Sequence, residues 1–256
     1  MAVVQIEHAD LSLIGDRDEN QDRVATVVGE QSVFAIVVDG MGGHSDGSRA
    51  AETAIKSLLA AFGAVEQPLF DPLGFLHRAL SRAHDHVVQA GSGLPIEARP
   101  RATIALCLLQ DGAAYWAHVG DSRIYHIRQG RVVERTRDHS HVELLLREGK
   151  ITEAEMHLHP MRNFVECCLG GEPAVPEMTL SGRKPLLAGD IILLCTDGVW
   201  AGMTDSSIAA FYPVTGDFEA ASGLAAALAK LGKRAVAASA PYSDNSTAAA
   251  LRYIGD

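Results

Sequence analysis

Four aspartates in this chain share one local setting, the end of an apolar stretch or a turn beside one. Asp39 follows Phe34-Ala35-Ile36-Val37-Val38 and opens the turn-like run Asp39-Gly40-Met41-Gly42-Gly43. Asp121 follows Ala117-His118-Val119-Gly120, Asp197 follows Ile192-Leu193-Leu194-Cys195-Thr196, and Asp244 precedes Asn245-Ser246-Thr247. Strand ends in a layered domain can converge on one edge and aim several carboxylates at one spot. Left uncompensated, such carboxylates repel one another and take up protons. A hard divalent cation removes that penalty, and all-oxygen ligation suits Mg²⁺ or Mn²⁺ rather than Zn²⁺. Asp-Gly is also a common turn dipeptide, so spacing by itself does not assign these residues.

The elements that must position them can be read from periodicity. Ser32 to Val38 is rich in Val, Ile and Phe and reads as a buried strand. Helices are expected from about Ser48 to Phe62 and from Pro72 to Ala90, the second with apolar residues at helical spacing from Phe75 to Val87. Short strands at 103–109, 113–119, 123–127 and 131–135 follow closely, with Gln110-Asp111-Gly112 and Arg128-Gln129-Gly130 as hairpin turns. Strands this close are expected to pair antiparallel, because a parallel crossover needs about a dozen residues or more. Further helices are expected at 142–148, 152–156, 205–211 and 218–237, with strands at 190–195 and 247–253. Antiparallel strands with helix pairs between them imply stacked sheets covered by helices, one α+β domain spanning residues 1–256.

The whole chain narrows the choice of partner. Its 256 residues carry a formal charge of −10, and 5% are aromatic. Such a chain repels nucleic acid and anionic membrane surfaces and has few platforms for stacking bases. No apolar run approaches the roughly 18 residues that span a bilayer, and the first residues lack the features of a signal peptide. Cys107, Cys167, Cys168 and Cys195 form no CxxC pair, so the thiols are expected to be reduced and the protein cytoplasmic and monomeric.

Five segments occur in order: Arg17-Asp18-Glu19-Asn20-Gln21-Asp22, Asp39-Gly40-Met41-Gly42-Gly43-His44, Gly120-Asp121-Ser122-Arg123, Thr196-Asp197-Gly198-Val199-Trp200 and Ser243-Asp244-Asn245-Ser246-Thr247. Together they resemble the metal-dependent protein phosphatases of the 2C (PPM) family in its bacterial serine/threonine form, over about 11–254. The resemblance implies a four-layer αββα sandwich with two central antiparallel sheets and a metal site at one end. It implies Asp39 as the bridge between two Mn²⁺ or Mg²⁺ ions, Asp197 and Asp244 as further ligands, and Gly40 as a ligand through its carbonyl. Asp22 matches an acid that holds metal-bound water, and Asp121 the ligand of a third, weaker ion. Arg17 matches the arginine that grips the substrate phosphate, a task that suits its guanidinium fork. Asn245 is expected to help bind substrate. The implied reaction is attack on a protein phosphoserine or phosphothreonine by water held between the two ions, reversing a Ser/Thr kinase.

The chain departs from the family pattern in places. Some members place a histidine where Met41 stands, as the acid for the leaving group; His44 is the nearest replacement. Arg101-Ala102-Thr103 stands where Gly-Thr-Thr is usual, and Gln21 replaces a glutamate. The pairs His84/His86, His139/His141 and His157/His159 raise a zinc reading, but zinc needs three or four convergent ligands. A pseudophosphatase that binds phosphoproteins without turnover is the alternative, and its signature, loss of Asp39, Asp197 or Asp244, is not present. Residues 138–171 resemble a flap beside the active site; Thr152 and Glu155 have capping-box spacing, and Arg162 is its expected substrate contact.

Overall fold

The structure, a computed structural model, describes residues 5–41, 45–156, 158–213 and 223–255. In chain order the strands are β1 (Gln5–Leu13), β2 (Arg23–Val28), β3 (Val33–Met41), β4 (Arg101–Gln110), β5 (Ala113–Val119), β6 (Arg123–Arg128), β7 (Arg131–Arg135), β8 (Leu169–Gly170), β9 (Thr179–Leu180), β10 (Lys184–Pro185), β11 (Ile191–Cys195) and β12 (Ser246–Gly255). The helices are α1 (Ser45–Gly63), α2 (Pro72–Ala90), α3 (His141–Arg147), α4 (Glu153–Met156), α5 (Asp197–Trp200), α6 (Asp205–Ala209) and α7 (Leu224–Ser239). One sheet runs β1-β12-β11-β6-β7 and the other β10-β5-β4-β3-β2, with β8 on β4 and β9 on β5.

Period-two alternation divides the core into three layers. On β3, Phe34, Ile36 and Val38 pack with Leu58, Leu76 and Leu80 of α1 and α2. Val33, Ala35 and Val37 face the other way, onto Ile192, Leu194, Ala249 and Leu251 of the second sheet. That sheet in turn sets Leu193, Cys195, Ala248 and Ala250 against Leu224, Leu228 and Leu231 of α7. Every central strand is therefore buried on both faces, which is why each reads as an unbroken apolar run. The arrangement is the expected αββα sandwich.

Three expectations need correction. The strands β1 and β2 were not foreseen: their residues are mostly half-buried, and their polar alternation carries little hydrophobic signal. Asp39 and Gly40 lie inside β3 opposite Thr103 and Ala102, not in a turn after it. Finally, β5 and β6 do not pair, although only three residues separate them. The hairpins at 110–112 and 128–130 form as expected, with Asp111, Gly112, Gln129 and Gly130 all at positive φ. Between them the chain crosses from one sheet to the other through Gly120-Asp121-Ser122. Of the helix expected at 218–237, residues 218–222 lie outside the described residues, and α7 begins at Leu224.

This crossing places Asp121 at the edge where both sheets end. Antiparallel registers put the end of β3, the start of β4, the end of β5 and the start of β2 at one edge. The same logic gathers the start of β6, the end of β11, the start of β12 and the end of β1 in the other sheet. Gly120 makes the crossing possible, because its φ is +97° and a Cβ there would stand 2.5 Å from Cβ of Thr103. Gly120→Ala should cost about 2 kcal/mol or more by urea denaturation, combining backbone strain with overpacking. Gly93 also has positive φ (+84°), but a Cβ there would meet no atom within 4 Å, so Gly93→Ala should cost about 1 kcal/mol, the strain alone. Equal losses would mean that the Thr103 contact plays no part.

Candidate metal centre

Both sheet ends open into one cavity of about 470 Å³, lined by Asp39, Asp121, Asp197, Asp244, Gly40 and Arg17 among others. Asp22 lies just beneath, 3% exposed, where it accepts a hydrogen bond from the Thr196 hydroxyl at 2.9 Å. Asp121 is 6% exposed. Burial pushes Asp39 well above the usual carboxylate range, and the charges of Asp22, Asp197, Asp121 and Asp244 push it further. Asp121 is raised by burial and then by Asp197 and Asp138. Burial is also the first cause for Asp22, raised to about 7, and for Asp197, raised to about 6 with help from Asp244.

Little positive charge offsets this. Arg17, 57% exposed, donates to Asp244 at 2.7 Å. Arg123 lies near Asp121 but spends its guanidinium on Asp138, with two bonds of 2.8 and 2.7 Å. Among the described residues no three His, Cys, Asp or Glu side chains close around a single point. The carboxylates share a cavity without forming a finished cage. Their oxygens nevertheless fit hard divalent cations, whose charge would replace the protons the cluster otherwise holds. Backbone geometry fits too: a side chain on Gly47 would come 2.7 Å from the carbonyl oxygen of Gly40, and one on Gly40 would overlap the Gly47 carbonyl. Both positions need glycine if that oxygen is to serve as a ligand.

The loop carrying Arg17 is fastened to the start of β12. The Asp16 carboxylate accepts from the Ser243 backbone N–H (2.9 Å) and hydroxyl (2.7 Å), while Asp16 N–H donates to the Ser243 carbonyl. Asn245 lines the cavity, yet its amide is committed to this loop. It donates to the Ile14 and Glu19 carbonyls and accepts from Gln21 N–H, at 2.8 to 3.0 Å. It holds the arginine loop in place, a different task from the substrate contact expected of it. Gly15 (φ +63°) lets the loop pass the Asp244 carbonyl, which a Cβ would strike.

Asp121 is held from behind. Trp200 Nε1 donates to its carbonyl at 3.1 Å, and the Arg123 guanidinium lies 3.4 Å from the centre of the Trp200 ring. His139 takes both backbone groups of Gly120: its Nδ1 accepts from Gly120 N–H, and its backbone N–H donates to the Gly120 carbonyl. These supports escaped the sequence reading because the partners are distant in the chain. The Cys167 and Cys168 thiols are raised by burial, and both are free.

Within 138–171, the isolated bridge Ser140–Val165 and Glu166 N–H on the His139 carbonyl bring the returning chain to the cavity. Asn163 and Val165 line it; Arg162 is exposed and outside the lining. Half of the capping box forms: the Glu155 carboxylate accepts from both Thr152 N–H and hydroxyl at 2.8 Å, while Glu155 N–H donates to the Thr152 carbonyl and not to its hydroxyl. His139 and His141 belong to separate contacts, with Thr179 and Glu166. His44 and His157 lie outside the described residues, whereas Met41 lines the cavity.

A sandwich of this topology with a carboxylate cluster at one end defines a class, and similarity to known proteins agrees: the chain belongs to the protein phosphatase 2C family, whose model matches residues 12–231. That family is one of enzymes. Serine/threonine protein phosphatase PstP of Mycobacterium tuberculosis is 32% identical over 184 residues, covering 70% of this chain and 35% of PstP. The chain thus matches about a third of that curated relative's length. The Streptococcus agalactiae serine/threonine phosphatase superposes with a TM-score of 0.87 at 26% identity, covering 98% of this chain and 100% of the other. The catalytic domain of PstP, solved in complex with two manganese ions, gives a TM-score of 0.79 at 26% identity over 98% and 99%. No helix among the described residues is long and apolar enough to cross a membrane.

A carboxyl with a raised pKa binds its proton more tightly when folded than when unfolded. The folded state therefore loses stability as pH rises from about 4. With chelator present, Asp39→Asn should raise the melting temperature at pH 8, and the gain should shrink toward pH 5. A gain independent of pH would contradict the charge origin of the strain.

Proposed function

We propose that this chain hydrolyses phosphoserine and phosphothreonine in proteins, reversing a Ser/Thr kinase, as a metal-dependent phosphatase of the cytoplasm. The observation that carries this reading is the cluster of mutually raised carboxylates beside a solvent-facing arginine. Residues 1–256 are read as one catalytic domain with a flap over 138–171. Asp39, Asp197, Asp244 and the Gly40 carbonyl would hold two Mn²⁺ or Mg²⁺ ions, with Asp22 on a metal-bound water and Asp121 on a third, weaker ion. When bound, such a pair supplies Lewis acidity and an activated water.

The chain's own residues do the rest. Arg17 exchanges the Asp244 carboxylate for phosphate oxygens, two acceptors of similar geometry for one planar fork. Asp16, Ser243 and Asn245 fix its loop, so the guanidinium is aimed before substrate arrives. Gly40 offers a carbonyl because neither it nor Gly47 has a side chain. Met41 has no proton to give, which leaves His44 or solvent to protonate the leaving alkoxide. The chain acts as a monomer in this reading, since every assigned group comes from one copy.

Chelated protein should lose turnover of a phosphothreonine peptide and regain it with Mn²⁺ or Mg²⁺; activity surviving exhaustive chelation would sink the reading. Asp39→Asn and Asp197→Asn should each lower kcat on the order of 100-fold or more, beyond the loss typical of an outer-shell partner. Asp121→Asn should lower turnover while calorimetry still counts two tightly bound ions. Loss of all ions in that variant would refute a separate weak site.

A further inference from the structure

Gly120, Asp121 and Ser122 carry the chain from β5 to β6, and each is pinned by a group from elsewhere. The Ser122 hydroxyl shares a 2.8 Å hydrogen bond with the Thr103 hydroxyl, and Trp200 Nε1 donates to the Asp121 carbonyl. Buried Gly120 is held on both sides by His139. Its N–H donates to His139 Nδ1 at 3.2 Å, and its carbonyl accepts from the His139 N–H at 2.9 Å. Glycine has the widest choice of backbone conformations. The direction in which Asp121 leaves Gly120, whose φ is +97°, is therefore set by whatever fixes these two peptide groups.

The imidazole is itself fixed. A ring that accepts at Nδ1 carries its proton on Nε2, and Nε2 donates to the Thr179 hydroxyl at 2.8 Å. Thr179 lies opposite His118 in the pairing of β9 with β5. The buried His118 ring stacks on that of His139, with centroids 4.6 Å apart and planes at 27°, while its Nε2 donates to the Arg137 carbonyl at 2.8 Å. An aliphatic side chain would fill this space but could not accept from Gly120. The ligands of the two tighter ions stand elsewhere, Asp39 on β3 and Asp197 and Asp244 beside β11 and β12. We propose that His139 is a positioning residue for Asp121, setting through Gly120 where that carboxylate points and so how tightly the third ion binds. This rests on the phosphatase reading and refines it at one residue.

The test titrates the chelated full chain with Mn²⁺, followed by calorimetry and by the electron paramagnetic resonance of free Mn²⁺. Three chains are compared: the unaltered protein, His139→Ala, and His139→Asn, whose Oδ1 can accept in place of Nδ1. In His139→Ala the weak ion should bind about tenfold less tightly, the loss expected of an outer-shell partner, while the two tight ions change by less than about twofold. His139→Asn should restore most of the weak affinity, which a merely space-filling role does not predict. The Mn²⁺ concentration for half-maximal turnover of a phosphothreonine peptide should shift in the same order. If His139→Ala fails to fold by circular dichroism, Thr179→Val at an exposed position frees the far side of the ring and should weaken the third ion alone, by about threefold. Unchanged weak binding in folded His139→Ala, equal weakening of all three ions, or an asparagine variant no better than alanine overturns the positioning role and leaves the phosphatase reading intact. Two ions and no third in the unaltered chain overturns it as well, together with the third site. No bound ion and no turnover defeats both readings.

Discussion

Too much negative charge in too little solvent is the constraint on which this structure turns. Asp22, Asp39, Asp121, Asp197 and Asp244 act on one another at one end of two sheets. Arg17 and Arg123 do not balance them, because one is exposed and the other is committed to Asp138. The cluster must hold protons or cations. Protons would leave it chemically idle at neutral pH, whereas cations make the same oxygens an electrostatic platform for a phosphate ester. The energetics alone single out this end of the sandwich as the working one.

The remainder of the fold keeps that unfavourable arrangement in place. Strands buried on both faces give the sheet edges a rigid base, and the crossing at Gly120 brings Asp121 to the edge that β3 and β11 share. The bonds from Asp16 to Ser243 and from Asn245 to three backbone groups fasten the exposed loop that carries Arg17. Behind Asp121, the buried Arg123–Asp138 pair is costly to break, about 3–5 kcal/mol when one partner of such a pair is removed. Because Asp138 opens the 138–171 segment, that pair also fixes where the segment leaves the sheet.

Much of this was legible before any coordinates. Continuous apolar runs marked β3, β4 and β11, and the turn residues at 110–112 and 128–130 marked the hairpins, since burial and positive φ leave local traces. The five acidic segments in order marked the carboxylates that line one cavity. What escaped was set by distant partners. The strands β1 and β2 hide because half-buried edges tolerate polar residues, and the switch of sheets at Gly120 hides because a three-residue link looks like a hairpin. The loop duty of Asn245 depends on a segment more than 220 residues earlier. Arg162 drew notice for its charge, while its neighbours Asn163 and Val165 reach the cavity.

Calorimetric titration of chelated protein with Mn²⁺ at pH 7, repeated in buffers of different ionisation enthalpy, tests the central claim most directly. If carboxylates raised by burial and mutual repulsion form the metal centre, two ions bind tightly and protons are released as they do, since burial and neighbouring carboxylates hold the cluster above the usual carboxylate range. Binding of fewer than two ions, or binding with no dependence on buffer ionisation, would contradict the account.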